Sequence, residues 1–311
     1  MITCIIPCYR SEHTIRQVVA DLKDVFEERN MAEYEVILVN DNSPDGVFDV
    51  IKEICCEDSR IKGIDLAKNF GQHNAIMAGI KSGSGDLYAF MDDDGQTPAS
   101  EIWKLIDALD DTVDIVFAKY ANKRHALWRN MGSKVNDYMA QTLIGKPKSL
   151  NLTSYFVCKG FVAEEIKRYD GKYPYLSGLL LRSTSRIKNV AIIHKDRELG
   201  SSGYTFSKLM GLWLNGFTAF SVKPLRFASF LGIVLSSFGF FYGLFLIIQR
   251  LFISPDMPIG WSSIMAGILF IGGTIMVMLG IMGEYVGRIY ISINNSPQFV
   301  VREKVGFDDD F

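Results

Sequence analysis

The sequence predicts an α/β domain with a mainly parallel sheet, followed by a two-helix membrane hairpin, and three observations carry that prediction. Up to about residue 120, short apolar runs alternate with amphipathic segments, the pattern of a parallel sheet covered by helices. Phe227 to Ile248 (FASFLGIVLSSFGFFYGLFLII) runs about 22 residues without a charge, where ~20 suffice to cross a hydrocarbon core. A second apolar run, Ile264 to Gly283, repeats the feature.

Strand candidates are TCIIP from Thr3, EVILVND from Glu35, IKGIDL from Ile61, DLYAFMD from Asp86 and VDIVFAK from Val113. Their apolar, β-branched character suits strands buried on both faces. Between them, helical periodicity predicts helices over Ile15–Arg29, Gly46–Cys56, Asn74–Ser82 and Ser100–Leu109. A second region, Tyr120 to Pro224, holds a basic stretch (KYANKRHALWRN), strand candidates at Thr153–Cys158 and Ile187–His194, and an amphipathic run, YTFSKLMGLWLNGFTAFSV. The organisation expected is a cytosolic domain over 1–204, a juxtamembrane segment over 205–226, two spans within 227–287 and a cytosolic tail over 288–311.

Charge places the ends. Lys223 and Arg226 precede the first run, Arg288, Arg302 and Lys304 follow the second, and the connecting loop offers Arg250, so the positive-inside rule puts both ends in the cytosol. Glu284 and Arg288 are spaced to pair on one helical face. Gly267, Gly272, Gly273, Gly280 and Gly283 suit close helix contact within the hairpin or between protomers of a homo-oligomer. The stripe Leu209, Trp213, Phe217 and Phe220 precedes the first span and suits the membrane interface. No signal peptide is expected, because MITCIIPCYRSE meets charges at once. The net charge of −2 provides no global basic surface and argues against nucleic acid. Five cysteines without a C-x-x-C pair read as reduced, packed thiols.

The chemistry concentrates in FMDDDGQTPAS, Phe90 to Ser100. Three adjacent carboxylates repel one another unless a cation, hydrogen bonds or solvent accept them. On an extended backbone Asp92 and Asp94 share a side and Asp93 points away. Such oxygen ligands suit Mg²⁺ or Mn²⁺, which binds substrate phosphates through one or two carboxylates, and Gln96 continues the alternation as a third oxygen. A haloacid-dehalogenase phosphatase would place threonine where Gln96 stands. An EF-hand would need Gly where Thr97 stands and Glu where Trp103 stands. Helix capping near Pro98–Glu101 accounts for at most one of the three acids. Asp41, ending a second strand candidate, suits acceptance of a pyrimidine N3–H.

CIIPCYRSE, VNDNSPDG, FGQHNAIMAGIKSGSGDLYAFMDDDGQTP and RELGSSGYTFSKL, in this order, resemble the family 2 inverting glycosyltransferases of GT-A fold. With NGFTAFSVKPLR, two spans and GEYVGRIY, the chain is similar to their polyisoprenyl-phosphate branch over nearly its whole length. The resemblance implies a Rossmann-like GT-A catalytic domain, a nucleotide-sugar donor, a polyisoprenyl phosphate acceptor, a lipid bilayer and Mg²⁺ or Mn²⁺. Residue by residue, it implies that Pro7, Tyr9 and Glu12 cradle the nucleoside and Asp41 meets the base. Asp92 lies near ribose, phosphates and metal, with Asp93 counted among the donor-binding residues; Asp94 and Gln96 hold the metal. Arg197, Ser201 and Tyr204 match a segment closing on the diphosphate and lipid phosphate, and Arg129 and Ser133 resemble contacts to the acceptor phosphate. The chain departs from the family pattern at Gly95, at TPA and at YFVCKG, departures that bear on the choice of sugar.

The implied reaction moves a sugar from a UDP- or related nucleotide-sugar to the phosphate of a long isoprenoid, with inversion at C1. A lipid phosphate is already anionic, so no strong base is needed. Asp94 with its metal and Arg197 stabilise the leaving diphosphate, and Arg129 aligns the attacking phosphate. Alternatives are a polysaccharide-elongating synthase, whose Gln-x-x-Arg-Trp motif is missing from the sequence, and a membrane-anchored nucleotide-sugar-binding scaffold without catalysis. His73 and His194 read as packed or strand-end histidines before ligands.

Overall fold

The structure is a computed structural model that describes residues 1–120, 141, 146–172, 174–192, 260–293 and 297–307, with scattered single positions between 230 and 252. It divides into two units, Met1–Leu209 with Ser296–Phe311, and Met210–Asn295. The first unit is therefore discontinuous in sequence.

Its sheet is mixed and mainly parallel around β1 (Ile2–Cys8), β2 (Tyr34–Asn40), β3 (Ile61–Leu66) and β4 (Leu87–Phe90). With β5 (Ile115–Tyr120), β6 (Phe156–Lys159), β7 (Ile187–Ile192) and β8 (Val301–Val305), the order is β7-β5-β6-β4-β1-β2-β3-β8. Strand β6 runs antiparallel to β4 and β5, and β8 antiparallel to β3. The helices α1 (Ile15–Glu28), α2 (Val47–Glu57) and α3 (Gln72–Ser82) alternate with the first strands. A 3₁₀ turn, Ala99–Glu101, leads into α4 (Ile102–Ile106), and α5 (Gly160–Lys167) and α6 (Leu176–Ser183) follow β6.

Strand alternation divides the core between two sheet faces. Val36 and Leu38 join Val18, Leu22, Ile51 and Ile54 in one cluster, beneath α1 and α2. Ile37 and Val39 join Ala75 and Ala78 of α3 in another, against which Phe299, Val301 and Phe307 pack. Both faces are covered, which is why β1 and β2 read as almost unbroken apolar runs. Of the five cysteines, Cys4, Cys8, Cys55 and Cys158 are buried, Cys56 is exposed, and all are free thiols.

The structure adjusts several sequence expectations. Strand β4 stops at Phe90, because its register with β1 and β6 ends at the Ile5 and Phe156 pairs and the Met91 N–H makes a last bond to the Ile5 carbonyl. Asp92 to Asp94 thus lie on a loop, where strand alternation no longer dictates side-chain direction. Helix α3 begins at Gln72, two residues early, behind Gly71 at φ 89°. Part of the expected tail is instead the edge strand β8, whose VREKV reads as polar because edge strands carry charge against mispairing.

In the second unit, α7 (Trp261–Ile293) contains Phe270–Gly287, the one segment among the described residues long and apolar enough to cross a membrane. Its apolar side chains are widely exposed, Phe270, Met276 and Val277 among them. A side chain added at Gly267, Gly272, Gly273, Gly280 or Gly283 would meet nothing within 4 Å among the described residues. Gly232 does lie against Met278. The first apolar run falls largely outside the described residues, as do the stripe from Leu209 to Phe220 and the side chains of Glu284 and Arg288.

Helix α3 approaches β1 closely at Gly79, where an added Cβ would fall 2.5 Å from Cγ2 of Ile5. Gly79→Ala gains ~1 kcal/mol of helix propensity, against an overpacking cost of ~1–3 kcal/mol. The expected result is a lower thermal midpoint, measured by the unfolding of wild type and variant side by side.

Candidate active site

The strand order turns back at β1: the chain proceeds to β2 and β3 on one side, then β4 enters on the other. Ligands of open α/β sheets gather at the carboxyl ends flanking such a switch point. Four of the residues with left-handed backbone stand at or beside these ends: Arg10 at φ 60°, Asn42 at 48°, Gly71 at 89° and Gly95 at 71°. Non-glycine residues adopt this conformation at a cost and persist where surrounding contacts hold them. Arg10 is held through its N–H, which donates to Ser43 Oγ at 2.8 Å.

Pro7 fits a central strand for a reason of register. Ile5 presents its carbonyl to Met91 on the β4 side, and Cys8 presents its own to Asp41 on the β2 side. Alternation puts Pro7 on the β4 side, beyond the last β4 pairing, so its missing N–H breaks no ladder bond. The next turn joins the acidic loop directly. The Tyr9 N–H donates to Asp93 Oδ2 at 2.8 Å, and Thr14 Oγ1 donates to the Asp93 carbonyl at 2.7 Å. The Tyr9 ring stays exposed, with the Arg10 guanidinium 5.6 Å from its centroid.

Glu12, expected in the nucleoside cradle, is engaged with the neighbouring loop. Its Oε2 accepts the Gly46 N–H at 3.0 Å at the start of α2, and its own N–H donates to Asp45 Oδ2 at 3.1 Å. It braces the β1 and β2 loops against each other. Asp41 is buried, and its two carboxyl oxygens accept the N–H groups of Phe70 and Gly71 at 2.7 and 2.8 Å. Burial raises its pKa against the pull of those two bonds. The bonds fix the carboxyl plane and leave lone pairs for a further donor.

The three adjacent acids face different partners. Asp92 accepts from Gln72 Nε2 at 3.0 Å and from Ser154 Oγ, which precedes β6. Asp93 turns to the β1 loop as described, while Asp94 Oδ1 accepts the Gln96 N–H at 3.0 Å. Burial, with the Asp94 charge behind it, raises the pKa of Asp92. Burial first, then repulsion from Asp92 and Asp94, pushes Asp93 up to about 6 despite the Tyr9 bond. The Ser11 hydroxyl also faces Asp93, yet it is buried without a partner in hydrogen-bonding geometry. Tyr120, at the end of β5, has its phenol pKa raised by burial and then by Asp92 and Asp94. None of the acids caps the following 3₁₀ turn, whose cap position Pro98 has no side-chain bond.

Sequence reasoning brought Pro7, Tyr9, Asp41, Asp92, Asp93, Asp94 and Gln96 to this end of the sheet, and the structure places them there. Gln96 contributes its backbone N–H to the loop. Arg129, Ser133, Arg197, Ser201, Tyr204 and His194 lie outside the described residues. Gln72, Ser154, Thr14 and Tyr120 were missed as site residues; Gln72 stands inside the FGQHN motif, and the others carry no local signal of their own. His73 packs edge-on against Tyr175, their centroids 5.8 Å apart.

A divalent cation fits this donor set. Among the described residues no cationic side chain forms an ion pair with Asp92, Asp93 or Asp94, although the first two are charge-strained by burial. No group of three His, Cys, Asp or Glu forms a ready cage among them either. Two carboxylates that leave coordination positions to water and phosphate match a hard cation shared with a substrate.

The fold and the acidic loop at its switch point place a candidate ligand site at this end of the sheet. The glycosyl transferase family 2 model matches residues 3–164, just over half of the chain, and the chain belongs to that family; it is a glycosyltransferase with a GT-A-like fold. Among curated relatives, the uncharacterized glycosyltransferase YkcC of Bacillus subtilis (strain 168) is 28% identical over 98% of this chain and 94% of its own length. The SfII prophage-derived bactoprenol glucosyl transferase of Shigella flexneri is 28% identical over 97% of both chains. The undecaprenyl-phosphate 4-deoxy-4-formamido-L-arabinose transferase of Yersinia pestis (strain Pestoides F) is 29% identical over 98% of this chain and 94% of its own. Among solved structures, glucosyl-3-phosphoglycerate synthase from Mycobacterium tuberculosis overlaps 64% of this chain and 72% of its own, at 16% identity and a TM-score of 0.48.

The raised Asp93 pKa sets a direction for stability. The folded chain holds that proton more tightly than the unfolded chain, so ionisation weakens the fold, fully above about pH 6 and not below the ordinary aspartate value of 3.8. With EDTA present, Asp93→Asn is expected to stabilise by roughly 1–3 kcal/mol at pH 8 and to give no gain at pH 4. Thermal unfolding of both proteins across that range checks it.

Proposed function

We propose that this glycosyltransferase moves a sugar from a nucleotide-sugar, UDP-linked in our reading, to a polyisoprenyl phosphate such as undecaprenyl phosphate, with inversion at C1. The observation that carries the reading is the acidic trio at the sheet's switch point, half-buried and without a cationic partner among the described residues. The acceptor class is supported by relatives similar over nearly their whole length, two of them named for bactoprenol and undecaprenyl phosphate.

In this reading Asp41 receives the base, and Tyr9 and Pro7 line the nucleoside end. Asp92 and Asp94, with Gln96, hold Mg²⁺ or Mn²⁺, which when bound neutralises charge on the leaving diphosphate. Gln72 and Ser154 orient the Asp92 carboxyl. Asp93 ties the acidic loop to the β1 loop, so both ends of the donor are gripped by one connected piece of backbone. Arg197, Ser201 and Tyr204 close on the phosphates, and Arg129 and Ser133 receive the acceptor phosphate. The acceptor arrives as an anion, so these residues position and neutralise charge, with no side chain required to remove a proton.

The setting is the cytosolic face of a bacterial inner membrane, with two crossings. The first unit contains chain from both sides of Met210–Asn295, so that segment begins and ends on one side of any bilayer it crosses. If α7 supplies one crossing, the residues before it supply another, and the run 227–248 is apolar enough to do so. Widely exposed apolar side chains on α7 support a lipid-facing helix.

Asp94→Ala is expected to abolish transfer, by at least about a hundredfold, while the chain stays folded and in the membrane fraction. Labelled sugar is followed from nucleotide donors, presented as a panel with undecaprenyl phosphate and Mn²⁺, into extractable lipid. Full activity in the variant removes the metal role; no lipid product from wild type with any donor in the panel removes the proposed function.

A further inference from the structure

Arg302 lies beyond the second apolar run, on β8, and the register of that strand singles it out. Glu303 stands opposite Asp65 and Val301 opposite Leu66, so one step on β3 is matched by two on β8 and Arg302 is the extra residue. A bulge of this kind re-aims its side chain away from the regular strand direction. Here the guanidinium reaches the carboxyl ends of β2 and β3. Nη1 meets Asp65 Oδ2 at 3.2 Å, and Nη2 donates to the Ala67 carbonyl at 2.8 Å and to Asn42 Oδ1 at 3.3 Å.

These contacts bracket Asp41 from both neighbours in the chain. Asn40 donates from Nδ2 to Asp65 Oδ1 at 2.7 Å and accepts the Ser43 N–H on its Oδ1 at 3.0 Å. Asn42 stands in the left-handed region at φ 48°, a conformation held by side-chain contacts. Asp65 is buried, so its carboxylate needs partners, and Arg302 and Asn40 serve it. Asp41 is itself gripped from the far side by Phe70 and Gly71.

We infer that Arg302 is a positioning residue for the nucleoside end of the donor site, holding the Asn40–Ser43 turn through Asp65 and Asn42 so that Asp41 is presented in one geometry. The inference rests on the proposed donor reading, in which Asp41 receives the base. It assigns a role in substrate binding to a residue whose charge the sequence explains by membrane topology alone.

The test uses the full-length chain in detergent with Mn²⁺, titrated calorimetrically with UDP, with GDP as a second nucleotide and with pyrophosphate. Arg302→Ala is expected to weaken nucleoside diphosphate binding about tenfold, the scale of one lost charge-assisted hydrogen bond, while pyrophosphate affinity stays unchanged. Arg302→Lys should recover part of the loss. Lys304→Ala, on the same strand but directed to the Phe307 ring, should bind like wild type. A merely structural role would lower pyrophosphate and nucleotide binding together. If Arg302→Ala does not fold, Asn42→Gly removes the amide acceptor while tolerating the left-handed backbone, and selective loss of nucleotide binding is again expected. Equal nucleotide affinity in wild type and the folded variant overturns the inference; failure of wild type to bind either nucleotide overturns the donor reading itself.

Discussion

The repulsion among Asp92, Asp93 and Asp94 is the constraint on which the rest of the site depends. A sheet that ends a strand with three acids must divide them among different partners or leave them fully solvated. Here Asp92 is met by Gln72 and Ser154, Asp93 by the Tyr9 N–H, and Asp94 by the Gln96 N–H. All are neutral donors, so hydrogen bonds hold the carboxylates in place without cancelling their charge. That leaves a negative charge which a divalent cation would neutralise.

The same bonds connect parts of the chain far apart in sequence. Tyr9 and Thr14 reach Asp93 from β1 and the start of α1, Gln72 reaches Asp92 from α3, and Ser154 from before β6. Glu12 joins the β1 loop to the start of α2. Each link stands at a carboxyl end, where the ladder has run out and backbone groups must find side-chain partners. Loop order at this face is therefore a property of the whole parallel core, whose close α3–β1 contact at Gly79 sets where Gln72 emerges.

Much of this was legible in the sequence, for identifiable reasons. Nearly continuous apolar runs located β1 and β2, because strands buried on both faces have little polar side. DDD after such a run located the site. Three things were not legible. The end of β4 depends on where its neighbours stop pairing, so Asp92 and Asp94 were read as strand residues although they sit on a loop. The bond that Glu12 accepts from a backbone N–H more than thirty positions away, beside the nucleoside role expected of it, has no local pattern. Strand β8 was read as tail, because an edge strand with alternating charge differs little from solvated coil. Ser154 and Tyr120 reach the acids only through the antiparallel insertion of β6, a topology that no local pattern encodes.

The return of the chain to its own sheet joins the membrane question to the catalytic one. A domain whose last strand follows the apolar segment is completed only after that segment has been traversed. Without β8 the outer edge of β3 lies open, and Phe299 and Val301 no longer cover the face shared by Ile64, Leu66 and α3. Strand β8 also carries Arg302, whose guanidinium is bonded to the turn that holds Asp41. An anchor appended to a finished soluble domain would leave that domain's edge and loops intact when removed. In this chain the apolar segment is inserted between two parts of one sheet, so edge protection and the hold on the Asn40–Ser43 turn follow from one strand pairing.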